Sequence, residues 1–131
     1  MRAGQINWRT PAPVFAVIIA GGLVGQVYLA GLAVFGTSGG WAVHGMFGGS
    51  LSIPIIGLAC YGWLGSGGWL YRRPGSLLLL FYLLQLALVG AGMQMGNAWI
   101  DAFHPANSLL MLIVALDVLR RAALNPQMAE L

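Results

Sequence analysis

Four long apolar segments fill almost the whole sequence, and they constrain the fold more than any other feature. They cover residues 14–35, 41–64, 74–97 and 104–119, and one charged residue, Asp117, lies inside them. A helix needs about 20 apolar residues to cross the hydrocarbon core of a bilayer. The hydrophobic share of 59% and the charged share of 7% also exclude an ordinary soluble domain. We therefore predict an all-α integral membrane protein, with residues 1–131 forming a single four-helix bundle.

Glycine-rich turns and prolines interrupt these segments. Residues 36–40 read Gly-Thr-Ser-Gly-Gly and residues 65–68 read Gly-Ser-Gly-Gly, and both runs are typical of exposed turns. Pro54 stands in the middle of the second segment. Because proline has no N–H and crowds the preceding turn, we expect a kink that frees the carbonyl of Ser50. Pro74 suits the first turn of the third helix.

All the basic residues fall on one face of the predicted bundle. They precede the first segment, join the second to the third and follow the fourth, at Arg2, Arg9, Arg72, Arg73, Arg120 and Arg121. Short loops rich in arginine stay in the cytoplasm. We therefore predict a multi-pass protein of the cell inner (plasma) membrane with N-in/C-in topology, both termini being cytoplasmic. This topology accounts for the net charge of +3, so we expect contact with the lipid bilayer and no nucleic acid partner.

The chain has two histidines, His44 and His104, and the predicted topology places both near the outer ends of their helices. At about 1.5 Å of rise per residue, their depths differ by no more than a turn. Two imidazoles at one depth can bind a metal from opposite sides, as the axial ligands of a haem iron do. The positive ends of both helix dipoles favour neutral, ligating imidazole. We therefore predict that His44 and His104 are metal ligands, the axial pair of one haem b.

Three further residues complete the predicted site. Gly48 lies one turn after His44 on the same helix face and would leave room for the edge of the macrocycle. Ser52, one turn deeper, would pack against the haem. Asp101 precedes His104 by three residues, so we expect it to accept a hydrogen bond from the ring, to balance the charge of the metal or to cap the fourth helix.

The other polar residues of the segments have ordinary structural explanations. Asn107 and Ser108 follow Pro105, which discourages helical geometry in the residue before it, so we predict that they cap the fourth helix. Gln26 and Gln85 lie inside apolar segments, where a polar side chain commonly forms a hydrogen bond with a neighbouring helix.

The His44-Gly45 pair and the His104-Pro105-Ala106-Asn107 run, which open the second and fourth helices, resemble a family of small uncharacterised prokaryotic four-helix membrane proteins. The resemblance covers nearly the whole chain. The plan is also similar to that of membrane-embedded b-type cytochromes, which implies electron transfer with a quinone or another redox partner in a larger complex. The chain departs from diheme cytochromes because two histidines can ligate one haem at most.

Two functions follow from these patterns. The first is a membrane-bound electron-transfer protein or subunit with one bis-histidine haem b near the outer leaflet. The second is a cofactor-free accessory subunit of a larger membrane protein complex, in which the histidines rest among lipid headgroups. Short loops, 20 glycines and close-packing pairs such as Gly45 with Gly49 favour the second. Neither function needs independent catalytic activity, and no catalytic constellation is evident in the sequence.

Overall fold

The computed structural model describes residues 6, 8–36 and 38–124 and shows an all-α bundle. The helices are α1 over Pro11–Val34, α2 over Gly40–Ser50, α3 over Ser52–Leu64, α4 over Trp69–Met95 and α5 over Ala98–Leu124. Because α2 and α3 follow each other almost without interruption, they form one span, and the described chain has four spans. Each span is long and apolar enough to cross a membrane. The predicted four-helix bundle is confirmed.

The two ends of the bundle carry different residues. We call the end near His44 and His104 the histidine end. The opposite end is called the arginine end, and its described basic residues are Arg9, Arg72, Arg73, Arg120 and Arg121. The helices pack on one another unevenly. α4 packs against α3 and α5, and α1 packs against α2, α3 and α5. α2, in contrast, has few contacts beyond α1. The bundle is therefore loosest around α2, at the histidine end.

The core is a continuous cluster of apolar side chains contributed by all four spans. It contains Ala12, Ala16, Ile19, Leu23, Leu51, Ile55, Leu58, Tyr71, Leu78, Tyr82, Met111, Ala115 and Val118. Within a span these residues recur mostly three or four positions apart, which is the spacing of one helix face. Between 17% and 28% of the most apolar window of each span is buried. Most of the apolar surface therefore points outward from the described chain.

The second span is interrupted three residues before Pro54, near the position where a kink was predicted. Leu51 separates α2 from α3, and its N–H donates to the carbonyl of Gly48 at 3.3 Å, in a tighter turn than that of an α-helix. Pro54 lies one turn later, inside α3. Tyr82 of α4 donates its hydroxyl toward the carbonyl oxygens of Gly48 and Gly49, each 3.3 Å away. A side chain from another helix therefore satisfies carbonyls at the break.

α4 begins earlier than predicted, at Trp69, and Pro74 lies buried inside it rather than in its first turn. Proline cannot donate to the carbonyl four residues before it, which is that of Leu70. Arg121 of α5 donates to this carbonyl at 3.4 Å. Asp117 holds the arginine in place through an ion pair of 2.6 Å. The proline does not end the helix because a neighbouring helix supplies the missing donor.

α5 also begins earlier than predicted, at Ala98. The side chain of Asn97 accepts a hydrogen bond from the N–H of Trp99 at 3.0 Å, which satisfies one of the free donors of the first turn. The prediction that Asn107 and Ser108 cap this helix was wrong, because both lie well inside it. The proline that precedes them is accommodated within the helix.

Candidate functional site

His44 of α2 and His104 of α5 meet at the histidine end. Their ring centroids are 6.2 Å apart and their planes are inclined by 57°. Both residues are half-buried. Trp41 packs edge-on against His44, with ring centroids 5.7 Å apart and an angle of 80° between the planes. The fold therefore brings together the two histidines that the sequence analysis treated as a pair.

Gln26 of α1 holds His44 through two reciprocal contacts. Nε2 of Gln26 donates to the carbonyl of His44 at 3.1 Å. Nδ1 of His44 lies 3.1 Å from the main-chain carbonyl oxygen of Gln26. Since a carbonyl oxygen only accepts, Nδ1 is the protonated nitrogen of the neutral ring and Nε2 carries the lone pair. Ligating histidines are commonly oriented in this way, by a hydrogen bond from the nitrogen that does not bind the metal.

The ring of His104 has fewer hydrogen bonds to orient it than the ring of His44. The backbone of Gln85, on α4, lies beside the ring. Nδ1 of His104 is buried and makes no hydrogen bond within the described part of the chain. A buried polar atom left unsatisfied destabilises a fold by about 1–3 kcal/mol. Most buried polar atoms in folded proteins have a partner, and the backbone of Gln85 is the neighbouring group that can offer one to this ring.

Asn107 is a buried link between α5 and α4, and only 4% of its surface is exposed. Its Nδ2 donates to the carbonyl of Phe81 at 2.8 Å and to Oε1 of Gln85 at 2.6 Å. The interhelical hydrogen bonds predicted for Gln26 and Gln85 are thus present. Gln85 was the signal that could have identified Asn107 as an interhelical hydrogen-bond partner, because a polar side chain in an apolar span needs a partner on another helix.

Two of the residues predicted to surround a haem have other neighbours. Gly48 faces the side-chain amide of Gln26, which fills the space that a Cβ at this position would occupy. Ser52 lies in α3 and donates to the carbonyl of Gly49 at 2.7 Å. Ser52 is also eight positions after His44, roughly 12 Å along a helix axis. Gly48 and Ser52 therefore contribute to the break in the second span more directly than to the histidine pair.

Asp101 is exposed at the histidine end, and its carboxylate lies against Gly92 of α4. It precedes His104 by three residues on α5. Among the residues that the structure describes, no group of three or more histidine, cysteine, aspartate or glutamate side chains could hold a metal ion. The two imidazoles are therefore the donor set that this end offers.

Two imidazoles at this spacing can share one metal. Bonds of about 2 Å from a metal to two opposite ring nitrogens put the ring centroids roughly 6 Å apart. The observed separation is 6.2 Å, so the two rings have a spacing suitable for one shared metal. The side next to Gly48 offers no space for a macrocycle because the amide of Gln26 fills it.

The contact between His44 and Gln26 predicts one tautomer. In ¹⁵N-histidine-labelled protein at about pH 8, above the usual histidine pKa, we expect Nδ1 of His44 to carry the proton and Nε2 to be unprotonated. Two-bond ¹⁵N–¹H correlation NMR of metal-free protein measures this. A His104→Gln variant leaves a single histidine and so assigns the signals. A proton on Nε2 of His44 would contradict the contact.

Residues 26–92, just over half of the 131-residue chain, match the family of unknown function DUF6220. The matched segment contains Gln26, His44 and Gln85 and ends before α5, which carries His104. No curated protein and no solved structure matches the chain. The match and the four apolar spans agree with the predicted likeness to small membrane proteins, whereas the similarity to b-type cytochromes stays a prediction. The chain belongs to DUF6220, a family of unknown function.

Proposed function

We propose that this protein is a membrane-bound electron-transfer protein or subunit that holds one haem b between His44 and His104, near the outer leaflet. The observation that carries the proposal is the meeting of the chain's two histidines, with ring centroids 6.2 Å apart, on two different helices. When bound, haem supplies one-electron chemistry. One haem on one side of the membrane needs a redox partner, and a quinone or a larger membrane complex would suit this role.

The residues around the pair prepare it for ligation. The carbonyl of Gln26 accepts from Nδ1 of His44 at 3.1 Å, which fixes the ring orientation and makes Nε2 a better electron donor. Trp41 packs edge-on against the same ring. On α5, the ring of His104 lies beside the backbone of Gln85, and its Nδ1 is buried. A ligand that engages both rings would therefore tie α2, which is otherwise packed mainly on α1, to α5.

The surface of the bundle supports a membrane location. Large apolar side chains are exposed along the spans, including Val27, Ile53, Leu80 and Ile113. Exposed tryptophans mark both ends, as membrane interfaces commonly do, and they are Trp41, Trp63, Trp69 and Trp99. The concentration of basic residues at the arginine end supports a cytoplasmic arginine end and an outer histidine end. The host membrane on this proposal is the inner (plasma) membrane.

A second candidate function is a cofactor-free accessory subunit of a larger membrane complex. Gly45 and Gly49 are exposed on α2, and a Cβ added at either would meet no atom within 4 Å. An exposed pair of small residues lets a helix of another protein approach closely. The two candidates differ in what the histidines do, because an accessory subunit needs no metal at His44 or His104.

The proposed orientation predicts opposite labelling at two turns. Ser38 and Ser66 are both exposed, one at each end of the bundle. In a Cys60→Ser background, a membrane-impermeant maleimide should label Ser38→Cys in intact cells but Ser66→Cys only after lysis. Labelling of Ser66→Cys in intact cells would reverse the orientation, and labelling of neither residue in intact cells would remove the support for an outer histidine end.

The haem proposal predicts a spectrum that depends on both histidines. Wild-type protein expressed with ample haem should show a low-spin b-type spectrum and one haem per chain by pyridine haemochrome. His44→Ala and His104→Ala should each lose the low-spin signal, because each removes an axial ligand, and added imidazole should partly restore it. Gln94→Ala, an exposed position at the same end, is the control and should match wild type. A colourless wild-type protein would favour the accessory subunit.

A further inference from the structure

An exposed arginine packs on a tryptophan at the arginine end, where α3 meets α4. The guanidinium carbon of Arg72 lies 4.5 Å from the centre of the Trp63 ring. Nε1 of Trp63 donates to Oγ of Ser76 at 3.0 Å, so the ring is hydrogen-bonded to the helix that carries Arg72. A cation over an aromatic face is attracted by the ring. The three side chains therefore form one connected group on the surface of α3 and α4, which we call the Arg72 group.

The Arg72 group has hydrogen-bond donors that the described chain leaves unused. Arg72 is exposed and Ser76 is partly exposed, so both can be reached from outside the bundle. Within the described residues, Arg72 donates to no oxygen, and the hydroxyl of Ser76 accepts from Trp63 but donates to no partner. The planar N–H groups of a guanidinium match the oxygens of a phosphate. The unused donors therefore suit a phosphate group.

The arginine end also has an excess of positive charge. Among its described residues, Asp117 is the one acid, and it forms an ion pair with Arg121 on α5. The described chain therefore supplies Arg72 with no carboxylate partner. In a leaflet that contains anionic lipids, an arginine near the surface is attracted to their headgroups. An anionic ligand is favoured over a neutral one for this reason.

Apolar side chains lie next to the Arg72 group, toward the middle of the spans. Ile56 precedes Trp63 by seven residues, and Leu80 follows Ser76 by four, so each lies on the same helix face as that member of the group. Their side chains are 49% and 58% exposed. A soluble phosphate would leave this surface uncovered, whereas the acyl chains of a lipid would cover it. The arrangement of donors and apolar surface thus matches the headgroup and the chains of a phospholipid.

We propose that the Arg72 group binds an anionic phospholipid in the leaflet at the arginine end. The phosphate accepts hydrogen bonds from Arg72 and Ser76, and the acyl chains lie against Ile56 and Leu80. This site needs neither histidine and no haem, so the inference goes beyond the electron-transfer proposal and stands if that proposal fails. It differs from a general attraction between lipids and basic residues because it depends on one arginine.

The test is native mass spectrometry of the full chain in detergent, titrated with phosphatidylglycerol or with phosphatidylcholine of the same acyl chains. The dissociation constant of the first bound lipid is measured. Phosphatidylglycerol should bind about tenfold more tightly, because the choline group of the other lipid balances the charge of its phosphate. Glycerol phosphate at equal concentration should not displace the lipid, since it lacks the acyl chains. Equal affinity for the two lipids would overturn the proposal, and so would displacement by glycerol phosphate, which would assign the site to soluble phosphates.

Two charge-matched variants separate the site from the general charge of the arginine end. Arg72→Gln should reduce phosphatidylglycerol binding about tenfold, since it removes the charged donor. Arg120→Gln removes the same charge from an exposed position of α5 at the same end. It is the control and should keep most of the preference for phosphatidylglycerol. Equal losses in the two variants, or no loss in Arg72→Gln, would overturn the proposal.

A second pair of variants tests the ring on which Arg72 packs. Trp63→Leu removes the ring and should weaken phosphatidylglycerol binding about threefold. Trp69→Leu, at another exposed tryptophan of the same end, should bind as wild type does. All four positions are exposed, so the core is unchanged, and circular dichroism checks the helices of each variant. Unchanged binding in Trp63→Leu would overturn the Arg72 group as the unit that binds the lipid.

Discussion

The need to pair polar groups inside apolar spans organises this bundle, because a polar group left without a partner in apolar surroundings is destabilising. Gln26 pairs with the backbone of His44, and Gln85 pairs with Asn107. Tyr82 supports the carbonyls at the break in the second span. These contacts lie toward the histidine end, whereas the rest of the core is mainly aliphatic. At the arginine end, Arg121 pairs with Asp117 and donates to the carbonyl of Leu70.

The sequence predicted the four spans well because a run of about 20 apolar residues is a strong signal that needs no tertiary information. It misjudged where α4 and α5 begin, because the effect of a proline on a helix was judged locally. The carbonyl that Pro74 leaves free, that of Leu70, receives a hydrogen bond from Arg121, 51 residues away. Such compensation depends on which helices are neighbours, and residue spacing along the chain does not reveal it.

The histidine pair could be predicted because depth in a bundle follows from counting residues along each helix. The surroundings of the pair could not, because the spans are apolar on all sides and their sequence does not show which face turns inward. Gly48 was expected to leave space for a ligand, but the amide of Gln26 fills that space. Asn107 was read as a cap for the same reason, since its role depends on the rotation of α5 relative to Gln85.

The histidine pair joins α2 to α5. Pulsed EPR of haem-loaded, ferric protein labelled with ¹⁵N-histidine tests the axial pair most directly. The predicted result is two histidine nitrogens coordinated to one low-spin iron, with one lost in His44→Ala and one in His104→Ala. Coupling to a single histidine nitrogen or to none would contradict ligation by both residues.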